Sequence, residues 1–162
     1  MIFKFKSAKA WTEPNCFESP EVSIKGIATF HDDAQGSKRG RNSAYVVDMD
    51  DLVFCHLGDL GHPLSPSQIG EVGSPDVLFI PVGGFYTIGP EQARKVMESL
   101  KPRITVPMHY RLSGMSATFN ALSTVEDFIH TRDSVKRLDT SRFAVSNSDL
   151  PEKPVIMVPK LS

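Results

Sequence analysis

The chain has 162 residues, which suits one domain over residues 1–162, able to bury ~68–70% of its unfolded surface. Its apolar content is 40%, about 47% once the 11 glycines are added, as in ordinary globular chains. A formal charge of −1 excludes nucleic acid and anionic membranes as electrostatically attracted partners. The longest apolar run, Val77 to Val82, is far short of the ~20 residues of a membrane span. The start, Met1 to Lys6, interleaves lysines with apolar residues and has no signal-peptide core. Two cysteines, Cys16 and Cys55, are too few for a disulfide framework, so a reducing, cytoplasmic location is expected.

Met1 to Pro20 is weakly patterned. Phe3 and Phe5 alternate with lysines as in a short strand, and Pro14 and Pro20 break anything longer. Val22 to Phe30 alternates as a strand, with Gly26 a candidate bulge. His31-Asp32-Asp33 opens a polar loop through Asn42. Ala44 to Met49 and Leu52 to His56 are predicted to form a hairpin across Asp50-Asp51. Ser65 and Pro66 supply a cap and an N1 proline for a short helix through Glu71.

Asp76 to Pro81 is nearly all apolar and predicts a strand buried on both faces. Val82 to Thr87 reads as a flexible loop. Pro90 to Lys101 is the clearest helix, because Ala93, Val96, Met97 and Leu100 fall on one face. Arg103 to Met108 is the next strand, and strand, helix, strand implies a parallel crossover. Leu122 to His130 predicts a second amphipathic helix. The tail from Thr131 is polar until a last strand, Val155 to Val158. The class is α/β with a mixed sheet.

Three predicted strand ends carry metal-type donors: His31 after Phe30, Asp59 in Gly58-Asp59-Leu60-Gly61-His62, and His109 after Met108. Imidazole and carboxylate suit zinc, with manganese or iron as alternatives. The crevice beyond strand carboxyl ends is where open α/β sheets bind ligands. Gly58 and Gly61 allow the tight turn that aims Asp59 inward. Each residue alone has a plainer reading: a turn aspartate, a hydrogen-bonded loop histidine. His62 is either a pocket proton carrier or an ordinary residue leading into the helix. His56 is expected to pack inside against a backbone carbonyl, His130 to lie on the surface, and Cys55 to be a buried thiol. Arg111 could bind a substrate anion, its plainer reading being a salt-bridging surface arginine.

Thr29-Phe30-His31-Asp32, Arg39-Gly40-Arg41-Asn42, His56-Leu57-Gly58-Asp59-Leu60-Gly61-His62, Pro81-Val82-Gly83-Gly84-Phe85-Tyr86-Thr87-Ile88 and Pro107-Met108-His109-Tyr110 together resemble the metallo-β-lactamase-fold hydrolases, in the branch of Zn-dependent hydrolases related to the ascorbate-phosphate lactonases. The resemblance runs from about Cys16 to Phe128. It implies a four-layer αββα sandwich with a dinuclear zinc site, His31 and His109 as metal ligands and Asp59 as the bridging carboxylate. Asp59 and His62 are the candidate catalytic residues, and Tyr86 and Arg111 the candidate substrate-binding ones. The family's His-x-His-x-Asp-His signature appears nowhere in the chain. The expectation is therefore an incomplete sandwich, its C-terminal two-thirds, with an incomplete zinc ligand set. The implied activity is metal-dependent hydrolysis of an ester, lactone, amide or phosphodiester in a small-molecule substrate. The alternatives are a non-catalytic binding module and a half-enzyme completed by another chain. A homo-oligomer is expected, because missing strands would leave sheet surface for pairing.

Overall fold

The computed structural model describes residues 14–130 and 132–160. Among these described residues eight strands form one mixed sheet: β1 (Cys16–Glu18), β2 (Val22–Phe30), β3 (Arg41–Met49), β4 (Leu52–His56), β5 (Val77–Pro81), β6 (Ile104–Met108), β7 (Val135–Arg137) and β8 (Val155–Val158), in the order β1-β2-β3-β4-β5-β6-β8-β7. β1 to β4 pair antiparallel as a meander, and β4 to β8 pair parallel. The helices are α1 (Pro66–Val72), α2 (Pro90–Leu100) and α3 (Val125–Ile129).

Local chemistry explains most of these elements. The β3–β4 hairpin closes on Asp50 and Asp51, whose φ values of 53° and 58° give the left-handed pair that matches strand twist in a two-residue turn. Ser65 Oγ accepts the Gln68 N–H while Gln68 Oε1 accepts the Ser65 N–H, a reciprocal cap for α1 with Pro66 at N1. α2 buries Ala93, Val96 and Leu100 and ends at left-handed Lys101, directly before Pro102. The buried Arg94 guanidinium donates to the carbonyls of Asp127 (2.8 Å) and Phe128 (3.0 Å), locking α2 to α3.

The helices lie on one face, where Ile27, Ala44, Cys55, Leu57, Leu78, Ile80, Ile156 and Val158 join Ala93, Val96, Leu100 and Phe128 in the main core. On the other face Val77, Ile104 and Val106 pack with Phe54 and Phe79, under Phe143, Val145 and Leu150 of the chain between β7 and β8. Among the described residues no helix is long and apolar enough to cross a membrane.

Several sequence expectations need correction. Gly26 is not a bulge, because β2 and β3 pair without interruption from Val22↔Met49 to Phe30↔Arg41. Its lack of a side chain serves a close approach: a Cβ there would sit 2.6 Å from Asn15 N, and the Gly26 N–H donates to Asn15 O. Residues 82–87 form a loop in which Val82 and Thr87 are buried and Phe85 is exposed. The tail hides a short strand, β7, and the N-terminal part holds β1. The proposed strand around Phe3 and Phe5 lies outside the described residues.

Candidate functional site

Topology alone collects the singled-out residues. β2 runs antiparallel to β3, β3 antiparallel to β4, and β4, β5 and β6 run parallel. The carboxyl ends of β2, β4, β5 and β6 therefore share one edge of the sheet. His31, Asp59, Gly83 and His109 follow those four strands.

The turn carrying Asp59 is clamped by a residue that sequence reasoning missed. Asn42, at the start of β3, accepts the Asp59 N–H on Oδ1 (2.9 Å). Its Nδ2 donates to Leu57 O (2.9 Å) and to Thr29 Oγ1 (2.7 Å). Gly58 is left-handed (φ 58°), and a Cβ on it would lie 2.5 Å from Asn42 Oδ1. Leu60 is fully buried and its carbonyl accepts the Ile88 N–H, so the turn is anchored from below while Asp59 points out. The sequence signal was Asn42 inside the Arg39–Asn42 block, but a lone asparagine at a strand start carries no visible partner.

Gly61 brings this turn against the end of β2. Its N–H donates to Phe30 O (2.9 Å), and a Cβ would fall 2.2 Å from His31 C. His62 then completes the junction. Its Nε2 accepts the Phe30 N–H (3.1 Å), which leaves the ring proton on Nδ1, facing Pro63 O at 2.8 Å. Both ring nitrogens are thereby bonded to backbone. His56 does not pack inside: it is exposed, stacks on Phe79 at 5.8 Å, and takes the Gly58 N–H on Nδ1. The alternation of β4 explains this, since Cys55 takes the helix-side core and His56 the opposite face. Cys55 is fully buried, and burial pushes its thiol up to about 12.

His109 follows β6 in a left-handed conformation (φ 55°), with its carbonyl packed so closely on Gly83 that a Cβ there would lie 2.0 Å from the oxygen. Its Nε2 faces Asp59 Oδ1 at 3.9 Å, longer than a hydrogen bond. His31 Nε2 is buried and has no hydrogen-bond partner, a condition that ordinarily costs about 1–3 kcal/mol. Tyr86 stands edge-on to His109, with ring centroids 6.5 Å apart. Arg111, two residues on from His109, is fixed by its backbone, whose N–H donates to Ser123 O (2.9 Å) and which bridges to Thr124. His130 is exposed on α3.

The loop between His31 and Asn42 is folded round Asp32. Its carboxylate is buried and accepts four backbone N–H groups, from Ala34, Gly36, Lys38 and Arg39. Burial alone would raise its pKa, but the four donors outweigh it and bring it to about 2.

As a metal centre this edge is partial. Asp59 and His109 face each other, and His31 presents an unsatisfied buried nitrogen of the right kind. Among the described residues, however, no three His, Cys, Asp or Glu side chains gather closely enough to hold an ion. Tetrahedral zinc takes four donors, so these residues fit one part of a site and not a whole one. A cavity of about 470 Å³ opens at the amino end of β6, beside Met97, Lys101 and Arg132, and includes none of the edge residues.

A mixed sheet, helices against one face and His, Asp and His at a single carboxyl edge define an α/β domain of metallo-β-lactamase type. The family model described as beta-lactamase superfamily domain matches residues 6–109, and the chain belongs to that superfamily. It is 40% identical over 74 residues to a UPF0173 metal-dependent hydrolase of Staphylothermus marinus, covering 46% of this chain and 32% of the relative. It is 38% identical over 95 residues to one from Archaeoglobus fulgidus, covering 55% and 41%. The chain thus spans less than half the length of these curated relatives. The crystal structure of a proposed Zn-dependent hydrolase of the metallo-beta-lactamase superfamily from Thermotoga maritima superposes with a TM-score of 0.79 at 34% identity, over 93% of this chain and 71% of that one.

Proposed function

We propose that this chain carries the Asp59, His109 and His31 donors of a metal-dependent hydrolase centre, with zinc as the metal, and that the remaining ligands come from outside the described residues. One observation carries the reading. Asp59 and His109, from strand ends 50 residues apart in the numbering, face each other at 3.9 Å on the edge where His31 Nε2 lies buried without a partner. A bound divalent cation would supply activated water and polarise an ester, lactone, amide or phosphodiester bond. The chain's own residues hold the donors in place. Asn42 and Gly58 fix the Asp59 turn, Gly83 seats His109, and His62, with both nitrogens engaged, joins that turn to β2 as a positioning residue.

The rival reading is a binding module that has kept the fold and turns nothing over. The lack of a three-donor cluster among the described residues favours it. Calorimetric titration of zinc into the wild type and His109→Gln separates the two. The proposal expects weak zinc binding by the wild type that is abolished in His109→Gln. Identical isotherms for the two proteins would remove His109 from the site and leave the binding module as the better account.

A further inference from the structure

We propose that Arg39 and Tyr86 form an anion-recognition wall beside His109, so that the substrate of this site carries a carboxylate or phosphate group. The inference rests on the reading of the Asp59–His109 edge as the reactive centre. It starts from an arginine that lies against the aromatic ring of this edge. Arg111 is tied by its backbone to Ser123 and Thr124. Arg39 instead lies over the Tyr86 ring, 5.6 Å from guanidinium carbon to ring centroid, and that ring is the one edge-on to His109.

Arg39 is exposed, and its neighbour Lys38 is already matched with Asp33 at 2.8 Å. Among the described residues no carboxylate is paired with Arg39. A guanidinium left without an acidic partner keeps its forked donors for a planar or tetrahedral anion. Its position is also prepared. The loop that carries it is wrapped on the buried Asp32 carboxylate, which takes the Arg39 backbone N–H at 2.6 Å. The Tyr86 face then holds the side chain by cation–π attraction. Tyr86 in turn is set by Phe85, edge-on at 4.6 Å. Phe85 itself adopts φ 59° and stands 59% exposed, a strained and wet arrangement for a large aromatic residue. Phe85 and Tyr86 after β5, Arg39 between β2 and β3 and His109 after β6 thus come together round the Tyr86 ring. The loop fold does not depend on the Arg39 side chain, because only its backbone bonds to Asp32. Substitution there tests recognition and not folding.

The experiment titrates inorganic phosphate and, separately, acetate into the full metal-free chain in the presence of a chelator. The His109 and Tyr86 ring signals are followed by NMR. The expected result is a saturable shift of both rings with at least one anion, weakened tenfold or more in Arg39→Gln, less in Arg39→Lys, and unchanged in Lys38→Gln. The anion that binds more tightly assigns the group as carboxylate or phosphate. Equal weakening in Arg39→Gln and Lys38→Gln would show a general charge effect and overturn the proposal, as would anions that shift neither ring. Because no metal is present, either failure leaves the metal-centre reading to its own zinc titration.

Discussion

Two glycines a few residues apart should answer the same substitution with opposite signs. Gly61 has no room for a side chain: a Cβ would lie 2.2 Å from His31 C, 2.3 Å from Asp32 N and 2.5 Å from His31 O, all backbone atoms. Gly70, inside α1, has nothing within 4 Å of its hypothetical Cβ. To restore ordinary contact in Gly61→Ala, the turn and the end of β2 must part by roughly an ångström, and overpacking of this kind costs about 1–3 kcal/mol. The Gly61–Phe30 and Phe30–His62 hydrogen bonds sit in the same seam and would lengthen with it. In a chain of this size ~1 kcal/mol moves Tm by about 2–4 °C, so Gly61→Ala should melt roughly 2–12 °C lower. Gly70→Ala should instead gain about 0.5–1 kcal/mol from helix propensity, or roughly 1–4 °C. Differential scanning calorimetry of the two variants beside the wild type is the assay. A Gly61→Ala protein that melts with the wild type would refute the close approach of the Asp59 turn to His31, and with it the shared edge.

Two further outcomes follow from burial and charge. Cys16 is exposed and Cys55 buried with its thiol pushed up to about 12, so a thiol reagent should label one cysteine quickly and the second only on unfolding; rapid labelling of both would contradict the β4 core assignment. Asp127 caps α3 through the Thr124 N–H and hydroxyl, which lower its pKa from 3.8. Its folded value lies below its unfolded one, so its contribution is present above about pH 4 and is lost as the pH falls below that. The wild type should therefore lose Tm relative to Asp127→Asn on acidification below pH 4, and parallel pH profiles would contradict the cap.

Much of the frame was legible because local rules dictated it. Alternation marked β2, the Asp50-Asp51 pair marked the hairpin, Ser65-Pro66 marked the start of α1, and helical periodicity marked α2. The unbroken apolar run of β5 announced a strand buried on both faces, and Leu78 and Ile80 in the main core with Val77 in the opposite cluster bear this out. What stayed hidden depends on contacts distant in sequence. β1 and β7 are three residues each and exist only through their pairing partners. Gly26 looked like a bulge because nothing local reveals that Asn15 packs against it. His56 cannot share the core with Cys55, since successive strand residues face opposite sides of the sheet. At the site, glycines and strand ends singled out His31, Asp59 and His109. The Asn42 clamp and the tautomer of His62 required the fold itself.

At Asp59 a turn residue and a metal donor make opposite demands. The Asp59 backbone N–H, not its carboxylate, bonds to Asn42, and the side chain is 53% exposed, so Asp59→Asn should fold normally. The deciding measurement is a set of melting curves for the wild type and Asp59→Asn, each with and without zinc. The account predicts a zinc-induced rise in Tm for the wild type that is absent in Asp59→Asn, with similar melting of the two metal-free proteins. Equal zinc-induced shifts in both would show that Asp59 holds no metal and would contradict the central claim.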